Sequence, residues 1–378
     1  MSKRITILLL ILMLSTLLAA CGSGTTSGTD STGASSAPEA SASAAPAATS
    51  AGTDASAAPA AQGGEITLTL GAYTTPREAY KELIPIFQER WKQQTGQTVN
   101  FEESYLGSGA QSRAIVEGFE ADIAALSLEA DITRIQDAGL ITHDWKSAQD
   151  NGMISTSVVA FAVRPGNPKG IKDWGDLGKA GVEVLTPNPQ TSGGAMWNVL
   201  ALYGAAHRGF VDGVAKGDDA AATEFLKAVL KNVTVLDKGA RESITNFEKG
   251  VGDVAITYEN EVLVAKQAGE QMDLVIPRST ILIENPIAII DTYVDKHGTR
   301  QVAEEFIKFL YTEEAQTVFA KYGLRSLDKE VAQATASQYP AVEDLWTVQE
   351  FGGWSKVTPD FFGDTGIYTK AIAEVQGQ

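Results

Sequence analysis

Cysteine is nearly absent from this chain of 378 residues: Cys21 stands alone. No intrachain disulfide can form, so the fold must rest on an ordinary apolar core. Histidine is almost as scarce. His143, His207 and His297 lie far apart, none in an H-x-x-x-H pair, so no structural or catalytic zinc and no metal of any other kind is expected. Positive charge is also short, with 30 Lys plus Arg against 47 Asp plus Glu and a formal net charge of −17. A phosphate backbone wants a basic face, so nucleic acid is not an expected partner. No G-x-x-x-x-G-K-S/T loop and no internal repeat occur. Long hydrophobic runs are missing as well. The stretch from Ile5 to Ala20 is short for a bilayer span, and Met1-Ser2-Lys3-Arg4 before it gives the flank of a secretory signal.

That stretch ends Leu18-Ala19-Ala20-Cys21-Gly22. Small residues before a cysteine resemble the lipobox of bacterial lipoproteins. The resemblance implies a signal peptide over 1–20 and a lipid on Cys21 as the mature N-terminus. It implies a protein anchored to a membrane on the extracytoplasmic, periplasmic side of the cell envelope. From Gly22 to Gly64 the chain is Ser, Ala, Thr, Gly and Pro with three acids, Asp30, Glu39 and Asp54, one glutamine, Gln62, and no Lys or Arg. Such a composition has too little apolar bulk for a core, and 21–64 reads as the anchor cysteine plus a disordered tether. A flexible linker of this length reaches roughly 35 Å.

Residues 65–378 suffice for two domains with substantial cores. Apolar β-branched runs alternate with helical patterns: strands are expected at 66–71, 122–128, 157–163, 182–186, 233–237, 253–258, 273–276 and 281–290. Helices are expected near 76–94, 109–118, 130–138, 193–206, 219–231, 242–249, 259–268, 300–310 and 313–321. Tyr80, Leu83, Ile84, Phe87 and Trp91 form a buried helical stripe, in which Pro85 is a misfit that would kink the helix or delay its start. Alternating strands and helices predict an α/β protein with helices on both faces of mixed or parallel sheets. In such sheets, ligands sit at the carboxyl ends of strands.

The segment Pro187-Asn188-Pro189-Gln190-Thr191-Ser192-Gly193-Gly194-Ala195 lies at such an end. It puts a hydroxyl and two glycines at a helix start, where four backbone N–H groups lack intrahelical partners and the macrodipole is positive. Glycine lets a ligand approach that backbone closely, so an anion can be held with no lysine or arginine. Gly239-Ala240-Arg241 makes a second such socket, and Gly107-Ser108-Gly109 a serine-glycine turn; together they point to one small oxyanion. Tyr73-Thr74-Thr75-Pro76-Arg77 and Tyr258-Glu259-Asn260-Glu261 stand at two further strand ends.

At this point the chain resembles the bacterial sulfate-binding proteins of ABC importers, within the type II periplasmic-binding-protein fold. The resemblance covers essentially all of 65–378. It is carried by Trp91-Lys92-Gln93, Thr95-Gly96, Gly107-Ser108-Gly109, Val163-Arg164, Gly166-Asn167-Pro168-Lys169, Asp173-Trp174 and Asp176-Leu177. It continues through Thr186-Pro187-Asn188-Pro189, Ser192-Gly193-Gly194-Ala195, Trp197-Asn198, Gly239-Ala240-Arg241, Glu259-Asn260-Glu261 and Phe351-Gly352-Gly353-Trp354. It implies an α/β molecule of two lobes with the ligand cleft between them. Lobe 1 would comprise 65–158 and 272–378 and lobe 2 residues 159–271, the chain crossing near 155–160 and again near 262–280.

The resemblance implies a solute-binding lipoprotein, not an enzyme, that works without cofactor. It would be a monomer that captures sulfate or thiosulfate and delivers it to the permease subunits of an ABC importer. The implied donors are the hydroxyls of Ser108 and Ser192 and the backbone N–H groups of Thr74, Ser108, Gly193, Gly194 and Ala240. Arg241 would support the site without contacting the anion. The family has an aspartate where Thr74 stands, a proline one position before Pro76, and a tryptophan donating its indole N–H where Tyr258 stands. An indole only donates, whereas a phenol can donate or accept. Sulfate carries no proton at neutral pH, so a donor-only site satisfies it and penalises hydrogen phosphate.

Three other readings compete. One is a molybdate, tungstate or phosphate binder. The second is an exported hydrolase using Ser108 or Ser192, although no G-x-S-x-G elbow occurs and the histidines are poorly placed. The third is a sensor that keeps the binding fold but signals. Trp145, Trp174, Trp197, Trp346 and Trp354 are expected to be packing residues rather than a sugar platform.

Overall fold

The computed structural model describes residues 63–377. The expected leader 1–20, Cys21 and the tether through residue 62 lie outside the described residues. The first elements are β1 (Glu65–Tyr73), α1 (Arg77–Thr95), β2 (Thr98–Leu106), α2 (Ser108–Val116), β3 (Ile123–Ala125), α3 (Glu129–Asp137) and β4 (Met153–Val163). Then come α4 (Trp174–Leu177), β5 (Val184–Pro187), α5 (Gly193–His207), α6 (Asp219–Lys231), β6 (Val233–Asp237), α7 (Ala240–Glu248), β7 (Val254–Tyr258) and α8 (Glu259–Gln267). The chain continues through β8 (Asp273–Val275), β9 (Ser279–Ile289), α9 (Asp291–His297), α10 (Arg300–Leu310), α11 (Glu313–Lys321) and α12 (Lys329–Thr335). It ends with β10 (Asp344–Trp346), α13 (Trp354–Val357) and α14 (Ile367–Gln376).

The α1 stripe is buried as its spacing requires, on Tyr80, Leu83, Ile84, Phe87 and Trp91. The helix runs unbroken from Arg77 to Thr95 through Pro85, which lies on its exposed side. Gly96 closes α1 in the left-handed conformation, at φ 74°.

The strands run in the order β2-β1-β3-β9-β4-β7-β5-β6, with β10 on β9 and β8 on β4. β1 pairs in parallel with β2 and β3, and β5 in parallel with β6 and β7. These two halves are joined by antiparallel β4 and β9. Met153–Val158 pairs with β9, while Val159–Val163 pairs with β7. One continuous strand thus leaves the first lobe and enters the second, and β9 returns, its Ile287–Ile289 pairing with β3.

The second crossing falls at the start of β9, at the late edge of 262–280: β8 still pairs with β4 on the second-lobe side, and β9 takes over opposite Val158 at Leu282. One expectation changes here. The C-terminal segment differs from its expected place in lobe 1. Trp346, Trp354, Phe361, Tyr368 and Ala371 share one core with Phe161, Trp174, Trp197, Tyr203 and Leu226 of the second lobe. The cause is local shape and charge. Gly204 leaves room for the Trp346 ring, which a Cβ there would meet at 2.2 Å, and Arg208 holds Asp344 through bonds of 2.8 and 2.6 Å. All five tryptophans expected to pack are buried, and Trp197 meets Trp354 edge-on at 4.6 Å between ring centroids. The first lobe has its own core on Leu68, Leu70, Phe87, Phe306 and Phe319. No described helix is long and apolar enough to cross a membrane.

A buried carboxylate ties the first lobe together. Asp122 accepts from the Thr69 N–H at 2.7 Å, the Thr299 hydroxyl at 2.7 Å and the His297 ring at 2.9 Å. Burial pushes the His297 pKa down, but its bonds to Asp122 and Glu120 outweigh this and leave it raised. A raised folded-state pKa gives stability that is fully present below the unfolded value of about 6.5 and is lost as pH climbs through the folded one. Thermal unfolding should therefore fall more steeply above neutral pH in the parent than in His297→Gln. Parallel curves would remove this role.

Candidate functional site

Three helix starts from two lobes meet between the lobes. α2 begins at Ser108 after β2, α5 at Gly193 after β5, and α7 at Ala240 after β6. Each start leaves first-turn N–H groups without intrahelical acceptors. The approach is close. A Cβ on Gly107 would stand 2.5 Å from the Thr191 carbonyl and 2.8 Å from that of Lys238, and the Ala110 N–H donates to the Thr191 carbonyl at 3.1 Å. Thr74 arrives from the turn after β1: its Oγ1 is 3.8 Å from where a Cβ on Gly239 would lie. Ser108, Ser192, Gly193, Gly194, Ala240 and Tyr258 are buried and Thr74 half-buried, so the lobes are closed over this point.

Ser192 is the N-cap of α5. Its oxygen accepts from the Ala195 N–H at 3.3 Å, which leaves its hydroxyl proton available. Ser108 differs from the expectation. Its hydroxyl donates to Asp131 Oδ2 at 2.6 Å and its oxygen accepts from the Ser127 N–H at 2.9 Å. The Ser108 hydroxyl proton is therefore taken up within the protein, and the donor it can offer is its backbone N–H. Arg134 stands 2.8 Å from the other Asp131 oxygen and balances that carboxylate.

Tyr258 closes the site from the end of β7. Its hydroxyl lies 2.6 Å from Ser127 Oγ, and its ring sits against Gly194, where a Cβ would meet Cε2 at 2.8 Å. Burial pushes the phenol pKa far up; the Ser127 bond offsets this in part, while the Glu261 and Asp131 charges add to it. Tyr258 is thus a neutral hydroxyl at any physiological pH. The Tyr73 ring lies 6.2 Å from it, and the Tyr73 hydroxyl is buried with no partner among the described residues.

Arg241 does not enter this donor set. Its guanidinium binds Glu78 of the first lobe at 2.6 and 2.9 Å and Glu261 of α8 at 2.6 Å, and it reaches the Thr75 carbonyl at 3.4 Å. Burial lowers the Arg241 pKa, but the charges of Glu261 and Glu78 overcome this and raise it. A second pair spans the lobes, from Arg325 to Glu259 at 2.8 and 3.1 Å. Cation and carboxylates are matched with one another, which leaves neutral groups to face a ligand.

The structure brings together all the positions expected from the sequence: Thr74, Ser108, Ser192, Gly193, Gly194, Ala240 and Tyr258, with Arg241 behind them. It adds Ser127 and Glu78, which sequence reasoning missed. Ser127 was legible only as the end of an expected strand, where ligands gather. Glu78 read as an acid in the first turn of a helix, where the dipole alone accounts for it. No cluster of metal-ligating side chains exists among the described residues.

A profile of the bacterial extracellular solute-binding proteins matches residues 68–325. The chain is 45% identical over 329 residues to the sulfate-binding protein of Synechococcus elongatus, covering 86% of this chain and 92% of that one. It is 35% identical over 302 residues to the thiosulfate-binding protein of Pseudomonas aeruginosa, covering 79% and 89%. The solved structure of the sulfate-binding protein SubI from Mycobacterium tuberculosis superposes with a TM-score of 0.72 at 37% identity, covering 79% of this chain and 99% of that one. The two-lobed α/β architecture is accordingly that of the periplasmic binding proteins. With its helix starts converging between two lobes, the chain belongs to the bacterial extracellular solute-binding protein family, among the sulfate-binding proteins.

Proposed function

We propose that this protein captures sulfate, and thiosulfate as a near-isostere, between its lobes and delivers it to the permease of an ABC importer. The ligands are the backbone N–H groups of Thr74, Ser108, Gly193, Gly194 and Ala240 and the hydroxyls of Ser192 and Tyr258. The protein acts as a monomer held to the membrane by a lipid on Cys21. It is a binder without turnover: Ser108 has only a charge-balanced carboxylate beside it, and no histidine bonds to either serine among the described residues.

The observation that carries this reading is the convergence of three helix starts from two lobes while Arg241 is occupied by carboxylates. Stripping water from a dianion is costly unless many hydrogen bonds replace it. Charge-assisted bonds to fixed N–H groups are the strong kind. A site built from donors leaves the proton of hydrogen phosphate facing another proton, which costs about 1–3 kcal/mol. Titration calorimetry on anion-free protein should give one-to-one binding of sulfate and thiosulfate and none of phosphate. Phosphate binding, or silence toward sulfate, would overturn the reading.

Ser192→Ala tests one donor. It removes one hydroxyl among several donors and should weaken sulfate about tenfold. The same change removes the α5 N-cap, so the anion-free protein should lose about 1 kcal/mol of stability. Unchanged affinity would remove Ser192 from the donor set.

A further inference from the structure

We propose that Ser127 is a positioning residue for anion capture. Its hydroxyl donates to the Tyr258 oxygen and thereby turns the phenol proton toward the ligand. The inference rests on the reading of Tyr258 as an anion ligand. A phenol can donate or accept, so at a site built from donors its proton must be steered.

The hydrogen bonds around Ser127 support this direction. Its N–H goes to Ser108 Oγ at 2.9 Å, and its carbonyl accepts from Trp197 Nε1 and from Asn285 Nδ2, both at 3.0 Å. The Ser108 hydroxyl proton is already directed at Asp131. The Ser127 hydroxyl then has one polar partner among the described residues, the Tyr258 oxygen at 2.6 Å. Were the phenol to donate to Ser127, the serine proton would have no acceptor among the described residues and the phenol would turn lone pairs toward an anion. The order Ser127 to Tyr258 to anion uses each proton once, and bonds aligned in one direction polarise one another favourably.

The pair also stands where such steering counts. Tyr258 Cζ and Ser192 Oγ lie 3.5 and 3.3 Å from the point where a Cβ on Gly194 would be, and Ser127 Oγ lies 2.8 Å from the matching point on Gly193. Ser127 follows β3 in the first lobe, and Tyr258 ends β7 in the second. The bond therefore bridges the lobes in this closed form. Closure itself makes the phenol a donor, so the open protein offers a weaker, unsteered hydroxyl.

The test is sulfate calorimetry on Ser127→Ala, Tyr258→Phe, their double variant, and Ser127→Ala in a Tyr258→Trp background. Thermal unfolding without anion checks that each is folded. Ser127→Ala and Tyr258→Phe should each weaken sulfate roughly tenfold. The double variant should be no weaker than Tyr258→Phe alone, because the serine acts through the phenol. With tryptophan at 258, Ser127→Ala should change nothing, since an indole N–H needs no steering. An additive double variant, or an equal loss in the tryptophan background, would overturn the proposal. Parent-level binding by Tyr258→Phe would instead remove Tyr258 as a ligand, and a parent that binds no sulfate would remove the functional reading itself.

Discussion

Gly193→Ala should leave the anion-free protein folded and slightly more stable, yet weaken sulfate about a hundredfold. The two effects have separate causes. Gly193 is the first residue of α5, and its φ lies outside the left-handed region, so an alanine fits the backbone. Alanine in place of glycine favours a helix by up to about 1 kcal/mol, less in the first turn than in the interior. In the closed form the added methyl would stand 2.8 Å from Ser127 Oγ, 2.9 Å from Leu128 Cδ2 and 3.0 Å from Ser127 Cβ. All three atoms follow β3 of the first lobe, across from the start of α5 in the second, so the overlap is met on closure. Overpacking of this kind costs about 1–3 kcal/mol, and the Ser127 to Tyr258 bond is displaced with it. Affinity is reduced by the free energy the ligand must spend to close the strained form. Unfolding temperature without anion and calorimetry with sulfate separate the two effects. Parent-like affinity would mean that the lobes do not close onto the start of α5.

What could be read from the chain follows from how local each signal is. The α1 stripe is a one-helix pattern and survives intact, Pro85 included, because its position on the exposed side harms nothing. The sockets at Ser192-Gly193-Gly194 and Gly239-Ala240-Arg241 are legible for the same reason: hydroxyl, glycine and strand end lie within a few residues of one another. β2 was not legible. Thr98–Leu106 is a sheet-edge strand with Glu102 and Glu103 exposed, and its polar face hides the alternation that marks a strand. The expected strand over 122–128 shrinks to Ile123–Ala125. The flanking Ser127 and Asp122 instead carry side-chain bonds to distant elements. The docking of the C-terminal segment on the second lobe depends on Trp346 finding Gly204, which no local pattern encodes.

The Ser108 hydroxyl makes the same point at the site. Its neighbours in sequence announce a donor to an anion, and its neighbours in space take the proton away. What the motif fixes is the backbone: Gly107 permits the approach of Thr191 and Lys238, and the α2 N–H groups then face the other lobe's helix starts. A neutral site between lobes that carry many charges also needs those charges to be matched elsewhere. That is the place of Arg241, whose partners Glu78 and Glu261 lie on different elements of the two lobes.

Glu78→Lys should raise the sulfate dissociation rate about a hundredfold without slowing association. Arg241 rides on α7 in the second lobe and Glu78 on α1 in the first, 163 residues apart, so their two bonds exist only in the closed form. A contact absent from the open encounter state does not help entry, but it holds the lobes together once they close, while the added positive charge can only speed the approach of a dianion. Both side chains are partly exposed, at 26% and 33%, which tempers the pair relative to a buried one. Reversing one charge removes an attraction and adds a repulsion, about 3 kcal/mol after that allowance. Glu78→Gln, which removes the charge alone, should give about a tenfold effect that shrinks as salt is added. Acid should act like these variants. Burial pushes the Glu78 carboxyl up, but the hydrogen bond and charge of Arg241 outweigh it and leave the pKa lowered. A carboxylate lowered in the closed state contributes fully above its ordinary pKa and loses that contribution as pH falls through the lowered value. Dissociation should therefore be flat near neutral pH and accelerate only in acid, and this acceleration should be much reduced in Glu78→Gln. If the variant keeps the full acid response, another carboxylate closes the lobes. If both substitutions leave dissociation unchanged, the hydrogen bonds to the anion alone hold the protein shut.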